Sequence, residues 1–510
     1  MATTVIYVLL VLGAATTVYP FVFMASTGLK GPTDQNDNKL VPEYWRDDAE
    51  LLKKYRDDKY SGDVNVIASS EVGVSADQAT VRTYEAFLMS LPPDMWRAGF
   101  RVPPQGVTSR LAARWQSFLR GKYRQIDSLN KAYVDLNQSF QQVPVATEAW
   151  ERKSWRPPAT QKWRDWMEFK STLPAEFRVP IRSEWMWQEF LRTKYKNRIA
   201  DVPQQSNVDR QSSFADLKWI SGVRPSAGSV VPIKPEWPQL VAEFEEKLPP
   251  QFLVGVEERW LQKSGQHVLP IAATEAAWVK GHKGELKAEF SRRNYLYVLD
   301  YVALHGQSLW NTLLFCGLAI LTQLTVNPLA AYALSRFPMK ATAKILLFLL
   351  ATMAFPAEVA MIPSFLLLKD LGLLNTFAAL VLPTAASGYT IYLLKGFFDS
   401  LPQEVFDSGQ VDGAPEWVMM TRLALPLSRP VLGYIALLAF MGAYGSFIYA
   451  FLVCQDSRMW TLMVFVYQLQ ITSPKAVVMA AVTLAAIPTL IVFLACQRVI
   501  MRGIVLPGER

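Results

Sequence analysis

The chain has 510 residues, is 51% hydrophobic, has a mean hydropathy of +0.12 and carries a formal net charge of +8. That length implies more than one domain, and the charge does not point to nucleic acid, because basic loops beside apolar spans account for it more simply. The three cysteines, Cys316, Cys454 and Cys496, fall in or beside apolar stretches, which leaves the polar middle of the chain without a disulfide framework.

Residues 4–29 carry no charge. The run exceeds the core of a signal peptide and has no basic lead, so a retained anchor is expected rather than a cleaved leader. Residues 306–335 are likewise uncharged, and further apolar runs follow to about residue 500. At roughly 20 apolar residues per crossing, six spans fit: 4–27, 308–333, 344–368, 375–395, 429–453 and 476–498. The expected architecture is an all-α membrane protein of six transmembrane helices, with a mostly helical, repeat-containing soluble domain inserted between helices 1 and 2. The expected domains are an N-terminal anchor (1–30), an insertion (31–303) and a membrane core (304–510).

Within 31–303 an aromatic helix ending in Leu-Pro occurs three times, as TYEAFLMSLPPDMW (83–96), DWMEFKSTLPAEF (165–177) and LVAEFEEKLPPQF (240–252). A second element follows two of them, WQSFLRGKYRQI (115–126) and WQEFLRTKYKNRI (187–199), with a weaker echo from Trp260; FRVP also recurs at 100–103 and 177–180. Trp115, Phe118, Leu119 and Tyr123 share one helical face, as do Trp187, Phe190, Leu191 and Tyr195. This reads as a core stripe before an aromatic ligand platform. Pro-containing joints at 102–106, 156–160 and 234–238 separate about three related units. A carboxylate pair for glycoside hydrolysis is the sharper alternative. His267, His282 and His305 are scattered without metal-ligand spacing, so no metal or cofactor is expected.

Basic residues set the orientation. Arg336, Lys340 and Lys344 lie between spans two and three; Lys395, Arg422 and Arg429 flank the loop between four and five; Arg498, Arg502 and Arg510 follow span six. The opposite short loops hold Lys369, Arg458 and Lys475. By the positive-inside rule the first group faces the cytoplasm, so both termini are expected there and 31–303 outside.

Between spans four and five, residues 399–430 read DSLPQEVFDSGQVDGAPEWVMMTRLALPLSRP. Ser400 and Gln403 fit a capping box, with Pro402 in the first turn. Glu404 and Asp407 sit near the positive end of a short helix. Asp412-Gly413 stops it, since glycine accepts the left-handed conformation of a sharp corner. Pro415 opens a second helix containing Trp417, and Leu425-Pro426 and Arg429-Pro430 end it. The pattern alone describes an interfacial hairpin.

This segment resembles the cytoplasmic coupling loop of ABC importer permeases of the binding-protein-dependent family. Asp412-Gly413-Ala414, Leu425 and Pro426 stand at the family's spacings, while Asp407-Ser408-Gly409 replaces its Glu-Ala-Ala. The likeness covers 308–508 and is closest to the permease subunit of maltose-type importers. It is carried by SLWNTLLF (308–315), AAYALSRF (330–337), FPAEVAMIPSFLLLKDLGLLNT (355–376), LLKGFFDSLPQEV (393–405) and QRVIMRGI (497–504), with YPFVFMASTGLK (19–30) resembling the end of the first span. Two features depart from the family. Tyr444-Gly445-Ser446-Phe447 replaces a Trp-Asn-acid-Phe motif, which weakens the sugar assignment, and the insertion stands where relatives have a short segment.

The resemblance implies a multi-pass inner-membrane subunit moving a sugar or oligosaccharide. Its partners would be a second permease subunit, a homodimeric cytoplasmic ABC ATPase, an extracytoplasmic solute-binding protein and membrane lipid. The chain lacks a phosphate-binding G-x-x-x-x-G-K-[ST] loop, so ATP hydrolysis is expected in the partner and no catalytic residue in this chain. The expected coupling residues are Glu404, Asp407, Ser408, Gly409, Asp412, Gly413, Ala414, Trp417, Leu425 and Pro426, with Val405 also facing the ATPase. Two roles are open for Asp407: a charge-assisted contact to the ATPase or complementing its own helix dipole. Pathway candidates are Glu358, the one acid well inside an apolar span, and Tyr444, Gly445 and Ser446. For Glu358, pairing with a neighbouring helix stays open. The insertion is assigned to docking the binding protein or a neighbouring subunit. Two other classes are open: a membrane-anchored sensor without transport, and a carbohydrate-active outer domain.

Overall fold

The computed structural model describes residues 2–63, 66–67, 76–101, 110–137, 140, 143–203, 213–226, 229–300, 307–337, 339–354 and 356–502. The Pro joint at 102–106, the end of the first FRVP, His305, the 303/304 boundary and Arg510 lie outside them. The chain is mostly helical and divides into two compact units, 1–28 with 294–510, and 29–293. Among the described residues the β content is two short antiparallel pairs: Trp96–Ala98 with Arg178–Pro180, distant in sequence, and the hairpin Gly222–Ser226 with Ser229–Ile233.

The unit 29–293 is organised by its repeats. Each Leu-Pro segment folds the same way, because proline ends the helix and presets a tight turn. Helix Gln78–Ser90 leads to the 3₁₀ turn Pro93–Met95, Gln161–Ser171 to Ala175–Phe177, and Pro238–Lys247 to Pro250–Phe252. A Trp-bearing helix follows each: Arg110–Tyr123, Ser183–Lys194 and Val256–Ser264. The weak echo at Trp260 is therefore a third full unit. The aromatic stripes point inward: Trp115, Leu119, Trp187, Leu191 and Trp260 are buried, and Phe118, Tyr123, Phe190 and Tyr195 pack against the same core.

The three units close on one another. The Trp115 ring lies 5.1 Å from Phe169 of the second unit, Trp187 lies 5.2 Å from Phe244 of the third, and Trp260 lies 5.3 Å from Phe87 of the first. Phe87, Phe169 and Phe244 occupy the same place, four residues before the Leu of Leu-Pro, and all are buried. An open array would leave its first Phe uncovered; here each aromatic pair is internal. Phe87→Leu is thus expected to cost about 1–2 kcal/mol, the loss of an aromatic pair and some buried area. Phe169→Leu and Phe244→Leu should match it in chemical unfolding of the full-length protein. A clearly smaller effect at Phe87 would mean the ring is open.

Among the described residues of the unit 1–28 with 294–510, three helices are long and apolar enough to cross a membrane: Thr3–Gly28, Ser308–Arg336 and Lys475–Gln497. The number rises to five if two bent pairs are each one span: Phe377–Thr384 with Gly388–Asp399, bent by 50°, and Glu416–Leu427 with Arg429–Tyr444, bent by 81°. The apolar run 344–368 is built as two helices, Thr342–Met353 and Ala357–Asp370, where Pro356 removes a backbone donor. The run 429–453 likewise stops at Tyr444 and resumes at Ile448. An apolar helix, Leu462–Thr472, appears where no span was expected.

The break in 377–399 is satisfied from the side by helix Ser308–Arg336. Fully buried Asn327 accepts from the Ser387 backbone N–H at 2.9 Å through Oδ1, and Gln323 Nε2 donates to the Thr384 carbonyl at 3.2 Å. Freed backbone groups at apolar depth need such partners. At the other end of the same helix, Asn311 Nδ2 donates to the Arg458 and Trp460 carbonyls, and the Leu462 N–H donates to Thr312.

Candidate functional site: the polar hairpin 399–430

Helix Gln403–Val411 starts after Pro402, which offers no side-chain cap. The expected Ser400–Gln403 capping box is not formed. The Ser400 hydroxyl donates instead to the Phe397 carbonyl at 2.7 Å, closing the preceding helix, and Gln403 Nε2 donates to Asp407 Oδ1 at 2.9 Å. Pro402 places Ser400 too far back to reach the first free N–H groups.

The helix has two faces. Phe406 is buried at 2%, with Val405 and Gly409 half-buried beside it, and they face a cluster containing Leu394, Phe398, Met419, Met420, Ala424 and Val431. A Cβ added at Gly409 would meet Leu423 and Met419 at 3.4 and 3.5 Å, ordinary contact, so the Ser-Gly pair asks for no special space. Glu404, Asp407, Ser408 and Val411 fall at i, i+3, i+4 and i+7 and are all exposed, Val411 at 88%.

The corner is a complete Schellman motif. The Ala414 N–H donates to the Gly409 carbonyl at 2.9 Å and the Gly413 N–H to the Gln410 carbonyl at 3.0 Å, with Asp412 as C-cap and Gly413 at φ +72°. The second limb begins at Glu416 after Pro415, runs through a π-helical turn at Met419–Ala424 and stays helical to Leu427. Leu425-Pro426 therefore does not end it as expected; the chain turns by 81° only at buried Ser428, whose hydroxyl donates to the Ala424 carbonyl. Trp417 is 64% exposed, whereas Ala414 and Leu425 pack against the inner cluster. Pro426 is half-buried.

The expected pathway residues do not sit together with this hairpin. Glu358 is exposed in the first turn of Ala357–Asp370. Tyr444 is buried, stacks on Phe440, and donates its hydroxyl to the Ala485 carbonyl, so that group already has a partner. Gly445 is exposed and Ser446 half-buried at the break that follows.

Comparison with known proteins decides the family. Residues 327–505 match the binding-protein-dependent transport system inner membrane component. The trehalose/maltose transport system permease protein MalG of Thermococcus litoralis is 33% identical over 217 residues, 41% of this chain and 78% of that protein. The chain belongs to this family. Protein LplC of Bacillus subtilis is 30% identical over 46% of the permease and 84% of its own length. The lactose transport system permease protein LacG of Rhizobium radiobacter is 30% identical over 38% and 72%. Among solved structures, a bacterial ABC transporter involved in the import of the acidic polysaccharide alginate matches 40% of the permease and 78% of that chain, at 26% identity and a TM-score of 0.37.

Four buried carboxylates of the unit 29–293 are held by fixed partners; Glu257 accepts from Arg182 and the Ser183 backbone N–H. Glu275 accepts from Arg56, Lys59 and Tyr60, Asp165 from Tyr123, Tyr133 and Gln161, and Glu148 from Lys170, Trp166, Trp150 and Arg101. They brace helices against one another. His282 is the C-cap of Ile271–Gly281 and stacks on Trp278. No group of His, Cys, Asp and Glu fit for a metal occurs among the described residues.

Sequence reading missed Phe406, the buried anchor of the hairpin, and Tyr332, Arg336 and Glu416, which tie it to a long helix. The sequence shows only that Tyr332 and Arg336 stand one helical turn apart at the polar end of an apolar run, which does not say what they hold.

Proposed function

We propose that this permease is the membrane subunit of an ABC importer for a sugar or oligosaccharide, driven by ATP hydrolysis in a separate ATPase. The reading of six spans across the inner membrane rests on the apolar runs of the sequence, and the orientation, with both termini cytoplasmic and 31–303 extracytoplasmic, rests on the basic-residue asymmetry. A second permease subunit, an ATPase homodimer and a solute-binding protein complete the assembly, and the outer unit docks the binding protein or a neighbouring subunit. Relatives named for trehalose, maltose and lactose transport support the carbohydrate class.

One observation carries the coupling role. The hairpin presents Glu404, Asp407, Ser408 and Val411 on one exposed helical face, followed by the Gly413 corner and exposed Trp417. Bare Val411 and Trp417 beside fixed acids form a small apolar and acidic surface suited to a protein partner. Asp407 makes the charge-assisted contact in the ATPase cleft, and closing of the ATPase pair rocks the spans between inward- and outward-open states. Glu358, Gly445 and Ser446 are the proposed pathway residues.

Vesicles holding the full assembly test this with trehalose, maltose and lactose as probes. Asp407→Lys is expected to lower uptake about fivefold, with ATPase co-purification weakened, because a charge reversal at an exposed contact costs about 1 kcal/mol. Uptake unaffected by both Asp407→Lys and Gly413→Val would favour a sensor over a transporter.

A further inference from the structure

The coupling hairpin is attached to the rest of its unit by more than its covalent ends. The last turn of helix Ser308–Arg336 grips both limbs. Tyr332 donates its hydroxyl to Glu416 at 2.9 Å, on the second limb. Arg336 donates through one terminal nitrogen to Gln403 Oε1 at 2.7 Å, on the first limb, and through the other to the Phe398 carbonyl at 2.7 Å. Its guanidinium carbon lies 3.6 Å from the Phe406 ring centroid. Ser335 adds a bond to Asp399 at 2.7 Å.

The same helix holds the bend in 377–399 through Asn327 and Gln323. Nine residues, about 14 Å of helix rise, separate Asn327 from Arg336. One helix, with Pro328 inside it, therefore touches the ATPase-facing hairpin at its end and a broken apolar helix further along.

We propose that Arg336, with Tyr332, is the positioning clamp that makes the hairpin and helix Ser308–Arg336 move as one body, delivering hairpin displacement to the bend held by Asn327. This rests on the coupling role argued above. The geometry favours arginine: a planar guanidinium can lie against the Phe406 ring while its two terminal nitrogens reach the separate Gln403 and Phe398 acceptors, a fork that the single point of a lysine ammonium does not reproduce. The hairpin's inner face is also packed by an apolar cluster of Phe406, Met419, Met420 and Ala424 with Leu394, Phe398 and Val431, so its fold is expected to survive loss of Arg336. Loss of Arg336 should therefore leave a folded but loosely tethered hairpin.

Two measurements on the full-length chain and its assembly test the proposal. In the detergent-solubilised permease alone, Arg336→Ala is expected to raise amide exchange in 403–411 about fivefold, with Arg336→Lys in between and Tyr332→Phe affecting mainly 416–424. Unchanged exchange would overturn the clamp whatever the protein transports. In vesicles, Arg336→Ala is expected to lower sugar uptake per ATP about tenfold while the ATPase still co-purifies, and Arg336→Lys to recover part of it. Wild-type uptake per ATP in Arg336→Ala, or loss of the ATPase itself, would also overturn it. A wild-type assembly that moves no sugar would instead count against the importer reading, and the exchange measurement would still decide the clamp.

Discussion

Gly413→Val is expected to lower ATP-coupled uptake about thirtyfold, more than any change on the hairpin's exposed face. Gly413 sits at φ +72°, and an added Cβ would meet nothing within 4 Å. The penalty is therefore conformational rather than steric within this chain. An L-residue in the left-handed region pays roughly 1–2 kcal/mol, and a β-branched residue falls at the upper end or beyond. Two kcal/mol reduces the population of the docked-competent corner about thirtyfold, and coupling falls with that fraction. Gly413→Ala should give about a fivefold loss. Asn tolerates the left-handed region, so Gly413→Asn should stay near wild type. That ordering, Asn above Ala above Val, is checked by uptake in vesicles and by exchange at Ala414, whose N–H closes the motif. A loss with Asn as deep as with Val would mean that the partner surface, not the backbone angle, forbids a side chain there.

Much of this site could be read from the chain because its determinants are local. A Gly corner, a Pro at the start of each limb and a period of 3.6 act over a few residues, and all three appear where expected. The capping box failed for a local reason too: Ser400 had a nearer acceptor in the Phe397 carbonyl. What could not be read is long-range. Nothing near residue 403 announces Arg336, 67 residues earlier, or the stack on Phe406. The hairpin's inner face was likewise assigned to a partner at Val405 and Ala414, because a half-apolar helix does not say which of its neighbours covers it. The breaks at Pro356 and at 445–447 interrupt runs that hydropathy reads as continuous, since apolar content measures depth and not helical continuity. In the unit 29–293 the repeats were visible, but their closure was not. That Trp260 meets Phe87 is a contact across 173 residues, and a degenerate echo gives no sign of where a ring ends.

Lys170→Met is expected to destabilise the unit 29–293 by about 3–5 kcal/mol, the range for breaking one side of a buried ion pair. Lys170 and Glu148 are both fully buried, 2.6 Å apart. The Lys170 ammonium also donates to the Pro93 and Trp96 carbonyls and lies 4.4 Å over the Trp96 ring, so it joins the second repeat's helix to the first repeat's turn. Removing it leaves two buried carbonyls and part of a carboxylate unmatched, each costly. The pair also carries a pH signature. Burial pushes the Lys170 ammonium down to about 8 from an ordinary 10.5, against the opposing pull of Glu148. Between these values the unfolded chain binds more protons than the folded one, so the Lys170 contribution to stability rises with pH from about 8 and is complete above the ordinary lysine range. It is lost again as pH falls through 8. The difference in unfolding midpoint between wild type and Lys170→Met should therefore widen from pH 8 to pH 10, with groups common to both proteins cancelling. A difference that stays flat across that window would mean that Lys170 keeps its proton in the folded state, and that the brace between the first two repeats is an ion pair over the whole range.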